Sequence, residues 1–127
     1  GCFLHTLHLI VTKSIFIQDG VDNLITKCKE IVRLYKKSPK EKHLFETVDV
    51  DEVQDTSKYR LKQEVMVRWM STYHMIKQLI LCKDRITIWL LNSETCKHTI
   101  GRHEWKVLEN ISTFLDPLEK VFKTFSR

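Results

Sequence analysis

The sequence predicts an all-α fold, an irregular bundle of about six or seven helices. Three observations carry this. Only three glycines and two prolines occur in 127 residues, too few to mark a turn roughly every 8 to 12 residues, as a β-sandwich or barrel requires. Apolar residues recur at steps of three and four, the period of a helix face. Apolar side chains make up 43% and charged ones 29% of the chain, enough for a packed core and unlike a disordered segment. At 15.2 kDa, residues 1–127 are read as a single helical region.

Cys2 to Ile17 places Phe3, Leu7, Ile10, Val11 and Ser14 on one helical face. The β-branched run Ile10-Val11-Thr12 leaves a buried strand as the alternative. Asp19-Gly20 breaks the pattern and offers a cap. Val21 to Lys37 is the clearest helix, with Val21, Leu24, Ile25, Cys28, Ile31, Val32 and Tyr35 in one stripe. Ser38-Pro39 ends it. Ser38 can cap the next helix, Pro39 suits its first position and Glu41 completes a capping box, so that helix is expected over Pro39 to Val48. Gln54 to Lys58 reads as a loop, and Leu61 to Val67 as extended. Trp69 to Leu91 is one long helix, or two with a bend near Cys82. Asn92 to Gly101 is a loop. Glu104 to Leu115 is amphipathic, and Asp116-Pro117 starts a separate last helix carrying Leu118, Val121, Phe122 and Phe125.

The net charge is +5, which permits a polyanionic partner without demanding one, since clustering matters more than the total. Clustering is present. Lys27 to Lys42 holds seven basic and two acidic residues, followed by five carboxylates without Lys or Arg from Glu46 to Asp55. Two solvated faces explain such blocks most simply. The alternative is a basic surface on a polyanion, with Lys36, Lys37 and Lys40 as candidate phosphate contacts.

Cysteines stand at positions 2, 28, 82 and 96, with no CxxC spacing. Together with the lack of a secretory segment, this reads as a reducing, intracellular compartment. Residues 2–17 are apolar but interrupted by His5, His8 and Lys13, so neither a bilayer span of about 20 apolar residues nor a signal peptide is expected. The start at Gly1 reads as a piece of a longer protein.

Catalytic chemistry is poorly supported. There is no GxGxxG or Walker A loop, no context that activates a thiolate, and Asp49, Asp51 and Glu52 sit in a solvated acidic stretch. Cys2 and His5, three apart, could meet one ligand, with Cys96, His98 and His103 to complete a zinc set. That spacing matches no standard finger, and separate polar and core roles are preferred. Arg68-Trp69 offers a phosphate contact beside a stacking surface, the pair that displaced bases need. Composition alone favours Trp69 as a core residue.

Four stretches carry a family resemblance. Cys2 to Leu9, CFLHTLHL, resembles the CxxHxLNL stretch of hAT-superfamily DDE transposases and their domesticated BED-type zinc-finger relatives. RLYKKSP at Arg33 to Pro39 resembles the segment that follows in them. Val67 to Met75, VRWMSTYHM, is similar to their TRWNSTYxML motif, and Glu104-Trp105 with Leu115-Asp116-Pro117-Leu118-Glu119 to their EW and LxPxE signatures. The order and rough spacing hold across nearly the whole chain. The resemblance implies a ribonuclease-H-like fold split by a helical insertion, this chain being the CxxH helix plus the first part of that insertion. It further implies that two catalytic Asp precede Gly1 and the Glu follows Arg127, so the chain carries no catalytic residue and is no enzyme by itself.

By the same resemblance His5 matches a residue near the scissile phosphate, Trp69 one that stacks on a displaced base, and Arg68 its basic neighbour. His8, Val67 and Met70 depart from the polar residues of the motifs, which points to a domesticated or decayed copy rather than an active transposase. The expectation is therefore a nuclear, DNA-binding, transposase-derived protein. It needs no cofactor or metal, takes no small-molecule substrate and has no membrane contact. The alternative is a helical protein–protein module that forms a homo-oligomer without binding DNA.

Overall fold

A computed structural model of the chain describes residues 10, 15, 18, 20–48 and 69–125. Among the described residues there are five α-helices and no strand: α1 (Val21–Lys37), α2 (Pro39–Glu46), α3 (Trp69–Leu81), α4 (Lys83–Asn92) and α5 (Arg102–Phe125). The all-α class is as expected. The number of helices differs from six or seven for two reasons. All of the expected Cys2–Ile17 helix except Ile10 and Ile15 lies outside the described residues, as do Gln54 to Lys58 and Leu61 to Val67. The two expected C-terminal helices are one.

The helix ends follow from local chemistry. Gly20 precedes α1 at φ 85°, a backbone state that a side chain would strain. The α1 stripe Leu24, Ile25, Cys28, Ile31, Val32 and Tyr35 is buried. Ser38 is extended, and its Oγ accepts the Glu41 N–H at 3.2 Å. Only half of the expected capping box forms. The Glu41 carboxylate does not return to the cap but turns into the core, where Trp89 Nε1 donates to it at 3.2 Å and Ser93 Oγ donates to its other oxygen. α2 ends at Glu46 rather than Val48. Cys82 separates α3 from α4, where the bend was expected.

α5 runs through Pro117 without a break. A proline inside a helix loses one backbone bond and costs about 3 kcal/mol, which is why Asp116-Pro117 reads as a start. Asp116 is used elsewhere. Tyr73 Oη donates to its Oδ1, and Lys77 Nζ reaches the same oxygen at 3.2 Å. His74 faces Glu119 at 3.6 Å, and Lys83 faces Glu109 at 3.6 Å. The Tyr73, Lys77 and His74 contacts sit along α3 and α5, the helices in most extensive contact, and hold the segment on both sides of the proline, while Lys83 ties the start of α4 to α5.

The other half of the core closes around three rings. Tyr35 and Phe45 meet edge-on at 5.1 Å, Phe45 and Trp89 at 5.6 Å, and Tyr35 and Trp89 at 6.5 Å. One ring comes from each of α1, α2 and α4. Edge-to-face pairs of this kind add about 0.5–1.5 kcal/mol beyond their buried area. Arg85, on α4, is buried with them. Its guanidinium donates to the Phe45 and Glu46 carbonyls, both at 3.0 Å, and lies 5.8 Å from the Phe45 ring centre. Those carbonyls lie in the last turn of α2, where the regular helical bonds run out, and the Phe45 carbonyl also accepts the Val48 N–H at 3.4 Å. Among the described residues, no helix is long and apolar enough to cross a membrane.

Trp89→Ala is expected to lower unfolding free energy by about 3–5 kcal/mol through the cavity it leaves. Glu41→Ala should cost about 1–3 kcal/mol by stranding two buried donors, whereas Lys36→Ala stays within about 0.5 kcal/mol. Urea denaturation followed by circular dichroism measures all three.

Candidate nucleic-acid interface

The corner between α1 and α2 presents a compact positive surface. Arg33, Lys36 and Lys37 on α1 and Lys40 on α2 are all exposed. Positions 33, 36 and 37 share one side of α1 at helical spacing, and Lys40 follows on α2 just past the Ser38 break. Other basic groups nearby are occupied. Lys27 Nζ lies 2.5 Å from Glu104 Oε2, and Lys42 Nζ lies 5.5 Å from the Tyr35 ring centre. Glu30, an acidic interruption on α1, is paired with His98. The corner is held from beneath by Tyr35 and by the Ser38 cap, and its geometry is therefore set by the core.

The remaining candidates lie elsewhere. Trp69 opens α3 and is 2% exposed, with its ring 6.4 Å from that of Tyr73 at 59°. His5 and Arg68 lie outside the described residues. The Trp69 indole is packed within the protein, whereas the lysines face water.

Among the described residues the thiols offer no nucleophile. Cys28 and Cys82 are buried, and burial pushes the Cys28 thiol up to about 12, so it stays protonated at neutral pH. Burial also raises the Cys96 thiol. Among the described residues, no three His, Cys, Asp or Glu side chains are grouped to hold a metal. His98, one member of the weighed zinc set, is engaged with Glu30 instead.

Two ionic contacts join the motif-bearing helices. Glu104 follows Gly101, whose N–H donates to Glu104 Oε1 at 2.9 Å. Burial alone would raise the Glu104 carboxyl, but the Gly101 N–H and the Lys27 ammonium outweigh it and hold it low. At the other end, the Tyr73 hydroxyl lowers the Asp116 carboxyl with help from Lys77. Burial and that same carboxylate push the Tyr73 phenol above its ordinary range. Each contact thus ties one residue of a motif-bearing stretch to another helix. The Tyr of the VRWMSTYHM stretch holds the Asp of LDPLE, and the Glu of EW holds α1.

A family model described as the ZBED1 RNase-like helical domain matches residues 1–114. The chain belongs to this family. It is also 27% identical over 125 residues to zinc finger BED domain-containing protein 4 from Homo sapiens, covering 98% of this chain and 10% of that relative. The chain therefore spans about a tenth of the relative's length. No solved structure matches it. A hAT/BED-type, transposase-derived protein is thereby established, and the helical architecture agrees with the family's description.

Several structural residues of this family domain escaped the sequence reading. Glu41 reads as part of a capping box and Arg85 as a solvated helix charge, and nothing local marks either as buried. Asp116 looks like a cap. A signal does exist in hindsight for Tyr73, since a polar-tipped aromatic within an apolar stripe needs a partner when buried.

The Tyr73–Asp116 contact makes a pH prediction. The phenol's folded value is raised, so its contribution is present below about pH 10 and is lost as pH rises through the folded value. The carboxyl's folded value is lowered, so its contribution is present above about pH 4 and is lost as pH falls through the folded value. Tyr73→Phe should flatten melting temperature against pH at both ends. In an absorbance titration at alkaline pH, one of the three tyrosines should ionise late, and this component should vanish in Tyr73→Phe.

Proposed function

We propose that this chain is a non-catalytic helical scaffold of a nuclear, DNA-contacting, transposase-derived protein, and that the α1–α2 corner supplies phosphate contacts. The observation that carries this reading is the cluster Arg33, Lys36, Lys37 and Lys40, all exposed, on a corner fixed by the core. Lys40 also stands at the start of α2, where the helix dipole favours an anion. Backbone contacts of this kind position a duplex and do not read its sequence. In the parent, sequence recognition would fall to a BED finger, and strand chemistry, where retained, to carboxylates outside this chain.

His5 and Arg68 enter the proposal by resemblance alone. Base stacking by Trp69 requires the start of α3 to open, because the indole is buried against Tyr73. The lysine corner needs no such rearrangement, so the proposal rests on it. A second reading, self-association, is favoured by Phe114, 57% exposed on α5 between the partly buried Val107 and Leu118. Phe114→Asp would then turn a concentration-dependent mass into a constant one.

The Lys36→Gln, Lys37→Gln, Lys40→Gln triple variant should weaken duplex DNA binding for all sequences alike. Each lost phosphate contact should reduce the slope of log affinity against log salt by about 0.9, or about 2.7 for three. Fluorescence anisotropy with a labelled duplex at several salt concentrations measures this. An unchanged slope would remove the corner from the interface.

A further inference from the structure

The outer side of α4 carries a feature that the DNA reading does not use. A groove of about 480 Å3 runs between α4 and the start of α5, lined by Lys83, Thr87, Ile88, Ile100, Arg102 and Trp105. A smaller hollow of about 110 Å3 continues it past Thr87, Ile100 and Trp105 to Leu90 and Leu91. Leu91 is the most exposed large apolar residue among the described ones, at 76%, and Ile88 is also exposed. They lie three apart, hence on one side of the helix. Scattered exposed apolar residues are ordinary. Two of them flanking a hollow of ligand-site volume with a tryptophan floor form a docking surface.

The charge around the groove selects the occupant. Arg102 is exposed at its mouth, and Lys106, also exposed, follows one helical turn later on the same side of α5. The N-terminus of the 24-residue α5 adds the positive end of its dipole. Lys83 lies 5.8 Å from the Trp105 ring centre and 3.6 Å from Glu109. Asp84, from the first turn of α4, is the one carboxylate among the residues that line the groove. The α5 side is thus electropositive above an apolar floor.

We propose that this groove binds a short peptide segment of a partner protein that pairs two large apolar side chains with carboxylates. The apolar side chains cover Ile88, Ile100 and Leu91, and the carboxylates face Arg102 and Lys106. The occupant is a protein segment rather than nucleic acid, because a phosphate backbone has no apolar groups to bury against Leu91 and Ile88.

Phage-displayed random linear peptides selected against the chain provide the probe. Enriched sequences should be net acidic with two large apolar residues three or four apart. A synthetic peptide of the enriched sequence should lose about tenfold or more in affinity towards Leu91→Glu and towards Arg102→Glu. Lys120→Glu, at an exposed site on the far part of α5, should bind as the parent does. All three positions are exposed, so melting temperatures should match and separate lost binding from lost folding. Recovery of no peptide, of basic peptides, or of peptides indifferent to Leu91→Glu would overturn the proposal, as would equal loss with Lys120→Glu. Retained DNA binding in Leu91→Glu would show that this surface and the α1–α2 corner act separately, and competition between peptide and DNA at Leu91 would overturn a protein-only groove.

Discussion

The structure depends on a carboxylate buried at the centre of its apolar packing. Glu41 is 1% exposed and sits where α2 meets α4. An ionised group in that position is costly unless its oxygens are satisfied. Trp89 Nε1 and Ser93 Oγ satisfy them, and Ser93 Oγ in turn accepts the Cys96 N–H at 3.0 Å. One side chain thereby couples the end of the α1–α2 corner to α4 and to the loop after it. The three-ring cluster of Tyr35, Phe45 and Trp89 packs around this polar bridge. Arg85 closes the far end of α2 from the same helix. α2, only eight residues long, could not hold its shape by helix propensity alone; its position is set at both ends by α4.

The second half of the bundle uses a different device. α3 and α5 are joined at their edges by Tyr73–Asp116, Lys77–Asp116 and His74–Glu119, and Lys83–Glu109 adds the start of α4. Most of these pairs are partly exposed and individually weak. Their value is register, since they align the apolar stripes of the two helices and keep α5 straight enough to pass Pro117. Tyr73 and Asp116 are in this sense fasteners of the scaffold. A residue recurring in a motif need not touch a ligand, and Trp69, packed beside Tyr73, shows how a stacking surface on paper can be a core residue in space.

What was legible in the sequence was local. The α1 stripe, the Ser38-Pro39 junction and the bend at Cys82 each depend on residues within one or two turns, and each appears as expected. So do the exposed lysines at 36, 37 and 40. What was not legible depended on distant partners. Asp116-Pro117 carries every local mark of a helix start, yet contacts from α3 override it. Glu41 satisfies the spacing of a capping box, yet the donors on α4 and the loop after it draw its carboxylate inward. Arg85 has the sequence context of a surface charge and is buried because α2 ends beside it. Family membership was legible through motif order, although the partners of Tyr73 and Glu104 became visible only in the folded chain.

The central claim is that a core-fixed corner of lysines, rather than the aromatic face of α3, meets nucleic acid. Amide chemical-shift mapping of the isotopically labelled chain during titration with duplex DNA tests it most directly. The account predicts shifts concentrated at residues 33–40, with the amides around Trp69 and along α4 unmoved. Shifts centred on the start of α3, with residues 33–40 silent, would contradict it.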